Sequence, residues 1–484
     1  MWRTVTTQAR LVLALLPCLL VLSPSGAEAS TAAGWGGNFH GQLGLGYTSN
    51  LQLAPASAVG LTGVKELASG DGFGIALLSD GTVRTWGGDT YGELGIGSHE
   101  TSAVPVNPGL TNVTAVSAAG GHAMALLAGG TVMVWGADIY GELGNGTSGK
   151  GSEKCGCNSL VPIPVPGIST AIAIHAGGPT DFALLRNGTL LAWGANHQGQ
   201  IGDGTTEEKT VPTPVMHLSN VVAIAGAGNA VETGHALALL SNGTVMAWGS
   251  NAYGQLGAPS APEITTEPVP VPGLVNVVQL AAGAYQSVAR MGDGTVKAWG
   301  SDFGGAVGRE KCGRFIVIAC SRVPLLVGVK HATNISAGYG FSDAVSEGRA
   351  FDWGHNVYGQ LGTGTIADSV TPVEVKGLAA VTSLAAGQHQ NMAIVEAPPT
   401  PPAVEVVPGK GSLTMIWRAP ELGNPWALGW RPVTRPISRW LNRVGNVPAA
   451  ARSYTISGLQ SGVRYQIYVQ SKGFAPKVAA GVPL

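Results

Sequence analysis

The sequence predicts an all-β protein: a seven-bladed β-propeller, closed by pairing of N- and C-terminal strands and followed by a small β-sandwich. A Trp-Gly pair with a Gly-Gln-Leu-Gly-like element after it recurs at Trp35, Trp86, Trp135, Trp193, Trp248, Trp299 and Trp353, at spacings of 49 to 58 residues. That length suits four short strands, the size of one blade. A second element, an Ala-Ala-Gly strand followed by an Ala-Leu-Leu strand, falls between the tryptophans. It reads SAAGGHAMALL at 117–127, LAAGAYQSVAR at 280–290 and LAAGQHQNMAIV at 384–395, with weaker copies near Leu67, Ile174, Ile224 and Ile335. The ends are complementary, since the first copy starts with the Trp-Gly half and the last ends with the Ala-Ala-Gly half. The strand before Trp35 is therefore expected beside the strand ending near Glu396, leaving no exposed edge.

In chain order, residues 1–29 read as a signal peptide. Arg3 and Arg10 precede an apolar run (11–22, LVLALLPCLLVL), and Ala27-Glu28-Ala29 supplies the small-x-small cleavage pattern. The run is short for a bilayer span of about 20 residues and contains Pro17, so the chain is expected to be exported, starting at Ser30, with no transmembrane segment. The propeller then covers 30–396. Its inner strands are crowded and carry Ala and Gly, whereas tryptophans fill the wedges where blades diverge. Asp80-Gly81, Asn187-Gly188, Asn242-Gly243 and Asp293-Gly294 predict two-residue hairpins with both central residues at positive φ.

Four cysteines, Cys155, Cys157, Cys312 and Cys320, follow the signal segment. An even count in an exported chain predicts disulfides, with Cys312 and Cys320 stapling a short insertion. A four-cysteine zinc site is the alternative, but no C-x-x-C pair is present. Asn112, Asn145, Asn187, Asn242 and Asn334 begin Asn-x-Ser/Thr sequons.

The motifs WGGDTYGELGIG (from Trp86), WGSNAYGQLG (from Trp248) and WGHNVYGQLGTG (from Trp353) resemble the regulator-of-chromosome-condensation repeat family, over about 31–396. The resemblance implies a seven-bladed propeller. The copy at Trp299 departs, reading GSDFGGAVGRE without Gln-Leu and with its aromatic residue displaced. Residues 397–402 (APPTPP) read as a stiff polyproline linker. Residues 403–484 resemble a fibronectin type III sandwich, with Trp417 on the second strand and Leu459 and Tyr465 at the spacing of a tyrosine corner.

Charge is uneven: residues 403–484 hold ten Lys/Arg against two Asp/Glu (+8), and residues 30–402 hold fifteen against twenty-five (−10). Arg431, Arg435, Arg439 and Arg443 lie near Trp426, Trp430 and Trp440, which reads as a solvated face, a dock on the acidic propeller, or a polyanion site. The acidic propeller argues against nucleic acid as partner.

No catalytic, cofactor or metal motif is present: Gly-x-Ser-x-Gly, phosphate loop, His-Glu-x-x-His and dinucleotide fingerprint are all missing from the sequence. His122, His235 and His389 sit in the Ala-Ala-Gly halves, as a histidine does in the family, and read as structural hydrogen-bonding groups. Asn38, Asp89, Asp138, Asn196, Asn251, Asp302 and Asn356, each three residues after a repeat tryptophan, could suggest a metal ring, but Asx residues in glycine-rich stretches are turn formers. Tyr91, Tyr140, Tyr253 and Tyr358 are candidates for a partner-binding face.

The family's best-known role is nucleotide exchange on a small nuclear GTPase, together with chromatin binding. The signal segment, acidic propeller and lack of a basic N-terminal arm argue against that transfer. A plant UV-B photoreceptor relative uses extra clustered tryptophans, whereas residues 30–396 contain only the seven repeat tryptophans. Secreted bacterial relatives include a propeller that inhibits β-lactamases through one face. The expected function is thus a monomeric, secreted, non-enzymatic module for an extracellular protein or surface ligand. Its binding loops would include the insertions at 148–160, 258–267 and 309–322. The rival is a surface adhesin anchored to an anionic cell-wall polysaccharide by residues 403–484.

Overall fold

The computed structural model describes residues 30–396 apart from 151–155, 229–231 and 309–318, and strands within 404–481. The signal segment, the 397–402 linker, Cys155, Cys312, Arg435, Arg439 and Trp440 lie outside the described residues.

Six blades are each built from four consecutive antiparallel strands: blade 1 (64–106), blade 2 (113–164), blade 3 (171–214), blade 4 (221–270), blade 5 (277–327) and blade 6 (332–374). Blade 7 is composite. Its inner strands, Val381–Ala386 and Gln390–Val395, are completed by Thr31–Asn38 and Ser49–Ser57 from the other end of the array. Ala33 pairs with Ala393 and Trp35 with Asn391, so the ring closes by strand pairing as its complementary ends require.

Each tryptophan lies on the third strand of its blade and is fully buried. The ring packs into the neighbouring blade: Trp135 of blade 2 shares a cluster with Phe73, Ile75, Leu77, Val83 and Leu94 of blade 1. Each indole N–H also crosses to that neighbour. Trp86 donates to the main-chain oxygen of Gln42, Trp135 to Glu93, Trp193 to Glu142, Trp248 to Gln200, Trp299 to Gln255, Trp353 to Ala306 and Trp35 to Gln360, at 2.8–3.0 Å. The repeat's two motifs are thus halves of one inter-blade contact. Glycine after tryptophan has its own cause. Gly87 has φ +109°, and a Cβ there would lie 2.5 Å from the oxygen of Gly72. The last glycine of the second motif, such as Gly95, lies so close to the next indole that a Cβ would approach Trp135 Nε1 to 2.9 Å.

The outer strand of every blade contains proline (Pro55, Pro105, Pro162, Pro212, Pro268, Pro324 and Pro372), which removes a donor from each rim edge. The Asx-Gly hairpins differ from expectation. Gly81, Gly188, Gly243 and Gly294 have positive φ, but Asp80, Asn187, Asn242 and Asp293 do not. Leu78 and Thr82 bracket a tight turn with Gly81 bonded back to Leu78, the arrangement of a three-residue loop with a glycine bulge. The Asx side chain instead accepts from the N–H two residues on, as Asp80 does from Thr82 at 2.9 Å.

Beyond the ring, Val404–Gly409, Ser412–Trp417 and Ser453–Ser457 form one sheet. Trp426–Pro432, Asn442–Val447, Tyr465–Ser471 and Lys477–Gly481 form a second. Among the described residues no helix is long and apolar enough to cross a membrane.

Candidate functional site

Antiparallel alternation gives the propeller two unlike faces. Turns from inner to second strand and loops from third to outer strand emerge on the same face. The opposite face carries the short hairpins, the start of Thr31–Asn38 and the end of Gln390–Val395, which pair directly through Thr31 and Val395. Both connections out of the ring therefore leave from one face, and the long loops occupy the other. The insertions at 148–160 and 258–267 begin in third-to-outer loops, on the loop face, and 309–322 falls between a third and an outer strand in sequence. Residues 151–155 and 309–318 of those insertions lie outside the described residues.

The loops are built alike. The Asx side chain three residues after tryptophan accepts the N–H five residues on: Asn38 from Leu43, Asp89 from Leu94, Asp138 from Leu143, Asn196 from Ile201, Asn251 from Leu256, Asp302 from Val307 and Asn356 from Leu361, at 2.9–3.3 Å. These seven residues close turns one per blade, and no group of three or more His, Cys, Asp or Glu that could hold a metal occurs among the described residues. In six loops a Gln or Glu side chain accepts a second loop N–H, for instance Gln255 from Tyr253 at 2.8 Å and Glu142 from Tyr140 at 2.7 Å. Burial pushes the Glu93 and Glu142 carboxyls up to about 7.

On this face the sequence-predicted tyrosines separate. Tyr91 packs on Gly121, where a Cβ would lie 2.8 Å from its ring, and Tyr140 meets His197 edge-on at 5.8 Å. Tyr253 and Tyr358 instead join a continuous arc of rings across blades 4 to 7. Tyr253 contacts Tyr285 (5.3 Å), Tyr285 contacts Tyr339 (5.1 Å) and Phe303 (6.3 Å), and Phe303 lies 4.5 Å from His355. Tyr339 reaches His389 (6.0 Å), His389 lies 4.2 Å from Tyr358, and Tyr358 meets Phe39 at 5.8 Å. The hydroxyls of Tyr285 and Tyr339 are hydrogen-bonded at 2.5 Å. Phe39 is 41% exposed, Asp368 lies 3.4 Å from His355, and the charge of Glu232 acts on Tyr253 and Tyr285. The arc is aromatic, partly exposed and bordered by carboxylates.

Sequence reasoning missed most of this arc. Tyr285 and Tyr339 occupy inner turns where blade 2 has Gly120 and Gly121, and this glycine-to-aromatic change was the available signal. Phe303, the displaced aromatic of the divergent copy, covers Gly340, where a Cβ would meet its ring at 2.4 Å. His389 is also set apart from His122 and His235. Those two open the second strands of their blades and are buried, whereas Gln390 holds that position in blade 7. His389 lies one residue earlier, in the turn, and burial, with the nearby His355, lowers its pKa.

The buried histidines resemble catalytic groups only in outline. His122 Nε2 lies 2.8 Å from Asp181, with both side chains at most 1% exposed. His235 lies 2.9 Å from Ser287 Oγ, but that hydroxyl donates to the main-chain oxygen of Gln255 and is fully buried. Each pair ties one blade to the next out of reach of a substrate. Of the four cysteines, Cys157 is disulfide-bonded, and its sulfur sits 3.1 Å from the oxygen of Asp138. Cys155, Cys312 and the side chain of Cys320 are outside the described residues. A cavity of ≈ 780 Å³ is lined by the inner strands of all seven blades. Several polar groups lining it are used between blades: Gln279 holds the main chain of Ile335, and Asn334 accepts from Leu384.

The RCC1-like domain matches residues 27–316, and the Regulator of chromosome condensation (RCC1) repeat matches residues 347–394. The chain is 30% identical over 293 residues to the Ultraviolet-B receptor UVR8 of Arabidopsis thaliana, covering 59% of this chain and 63% of that protein. It is 33% identical over 192 residues to the human probable E3 ubiquitin-protein ligase HERC6, covering 38% of this chain and 18% of that protein. The matches thus span less than two thirds of these relatives' lengths. Human WBSCR16 superposes with a TM-score of 0.67 at 22% identity, over 76% of this chain and 99% of that one. Yeast RCC1 (Prp20), solved bound to Kap60, gives 0.65 at 22% identity, over 77% and 90%. At that identity the superpositions establish the fold alone. With the family match spanning more than half of the sequence, and the same repeat forming all seven blades, the chain belongs to the RCC1-like domain family.

Proposed function

We propose that this chain is a secreted, non-enzymatic recognition module that binds an extracellular protein or surface ligand through its loop face. The observation that supports this most is segregation: the aromatic arc and the described parts of the insertions at 148–160 and 258–267 share the face opposite the two connections out of the ring. Aromatic side chains offer large contact area at low conformational-entropy cost, and such rings anchor protein interfaces. The bordering carboxylates favour a partner with a cationic patch, which can also stack on the rings. The titratable pairs in the blades are sealed from solvent, which supports a binding role over an enzymatic one. The test is capture by the exported chain, 30–484, against the same chain with Tyr285→Ser and Tyr339→Ser. A partner retained equally by both chains would refute the assignment of this face.

A second reading has one observation in its favour, the +8 charge of residues 403–484 beside a −10 propeller. We infer that these residues form a fibronectin type III-like sandwich, consistent with their three- and four-stranded sheets. As an anchor on an anionic cell-wall polysaccharide, the module would hold the protein at the surface with the loop face free. Envelope retention should then fall with salt and disappear when 403–484 are deleted. A guanine-nucleotide-exchange role rests on family resemblance only. Disulfides stapling the insertions, Cys312 with Cys320 in particular, remain part of the proposal and are testable by mass spectrometry of non-reduced peptides.

A further inference from the structure

The joint between blade 6 and the composite blade 7 is unlike the other six. Asp343 is the third residue of its strand, a position held by Ile75, Met124, Phe182, Leu237, Val288 and Met392 in the other blades. Directly opposite, on the adjoining strand, stands Asp352. Both carboxyls are fully buried. Oδ2 of Asp352 accepts two N–H groups, from Asn391 Nδ2 at 3.2 Å and from Trp35 Nε1 at 3.2 Å, the indole N–H being shared with the main-chain oxygen of Gln360 at 2.8 Å. Trp35 and Asn391 are themselves register partners, one on each side of the pairing that closes the ring. One carboxylate oxygen therefore holds both halves of the closing blade to blade 6. Oδ1 of Asp352 and both oxygens of Asp343 have no hydrogen-bond partner.

Two buried carboxylates on facing residues, with no cation beside them, cannot both stay charged. Ser336 and Asp352 flank Asp343 on the neighbouring strands, and Asp343 and Val373 flank Asp352. The closing blade contributes Trp35 and Asn391, within an apolar cluster of Val345, Ala350, Val375, Leu384 and Ala393. None of the groups acting on either carboxyl is a lysine, arginine or histidine.

We propose that the ring is fastened by one proton: Asp343 carries it and donates it to Oδ1 of Asp352, leaving Oδ2 of Asp352 as the acceptor for Trp35 and Asn391. The partition follows from Trp35: Asn391 acts on both carboxyls, whereas the indole N–H reaches Asp352 and not Asp343. Burial, and for Asp343 the facing Asp352, holds these carboxyls well above the usual carboxylate range. Because the folded values are raised, this stabilisation is fully present in acid and is lost as pH rises through them. The seam is then a built-in weak point that alkali opens.

The test is thermal unfolding of the exported chain from pH 5 to pH 9, compared with Asp343→Asn, which donates without titrating, and Asp343→Leu, which restores the residue of blade 4. The wild-type melting temperature should fall by several degrees more across this range than that of either variant, and at pH 9 Asp343→Asn should melt higher than wild type. Parallel profiles would overturn the proposal. So would a wild-type chain stabilised by calcium and destabilised by a chelator, because a cation would then occupy the proton's place. If neither variant folds, calorimetry of the wild type at pH 8 in buffers of different ionisation enthalpy counts the proton released on unfolding. Glu93 and Glu142 are largely ionised by then, so release of no more than the one proton that His122, raised by Asp181, can supply would overturn the proposal.

Discussion

Trp248 donates its indole N–H to the main-chain oxygen of Gln200, 2.9 Å away and one blade earlier. Its equivalents repeat this bond around the ring, so each blade is tied to its neighbour by one ring and one directed hydrogen bond. Trp248→Phe keeps most of the apolar volume and strands the Gln200 carbonyl, at a cost of about 1–3 kcal/mol. Trp248→Ala should cost about 3–5 kcal/mol through the cavity it leaves. Urea denaturation of wild type and the two variants checks the order; a Trp248→Phe midpoint equal to that of wild type would mean that the hydrogen bond contributes nothing.

Gly87 is the strictest position of the Trp-Gly pair. With φ +109° and the oxygen of Gly72 2.5 Å from any added Cβ, Gly87→Ala should destabilise the protein severely, by more than about 2 kcal/mol. Gly109→Ala is the control: φ is also positive there, but a Cβ would meet nothing within 4 Å. Thermal melts should separate the two variants clearly.

Glu93 and Glu142 stand where other repeats carry Gln42, Gln200, Gln255 and Gln360. Burial lifts both to about 7, so their contribution is full below the unfolded value near 4.5 and declines as pH rises through 7. Glu93→Gln with Glu142→Gln should leave stability near pH 5 little changed and raise it at pH 8. Melting at the two pH values checks this, and a uniform shift at both would contradict it.

His235 has the opposite sign. Burial depresses its pKa to about 4, so its contribution is present above 6.5 and is lost as pH falls from 6.5 toward 4. Gln286 and Gln390 hold the same strand position in other blades, which makes His235→Gln the natural replacement. The variant should lose less stability than wild type between pH 7 and pH 4.5, measured by chemical denaturation at each pH.

Much of the ring could be read in the sequence because one contact recurs. Trp35 to Trp353 mark the wedge-filling position seven times, and complementary ends dictate the pairing of Trp35 with Asn391. The Asx series was legible as turn formers for the same reason. What repeats poorly was hidden. Asp343 and Asp352 each occur in one copy only, nine residues apart, and become neighbours only when their strands pair. The aromatic arc is drawn from two loop classes, with Tyr253 and Tyr285 in different blades and Phe39 brought in from the other end of the chain. The Asp-Gly turns were misassigned because the dipeptide fits more than one hairpin geometry, and Asp80 uses its side chain rather than a left-handed backbone. His389 imitates His122 in composition but stands one register earlier.

The most direct test of the central claim is retention of partners from the protein's own culture medium and envelope. It compares 30–484, the Tyr285→Ser/Tyr339→Ser variant and a chain ending at 396. Binding through the loop face requires a saturable protein or surface partner retained by the first and third and lost by the tyrosine variant. Retention that survives in the tyrosine variant and disappears when 403–484 are removed would contradict it, placing the binding function in the C-terminal sheets instead.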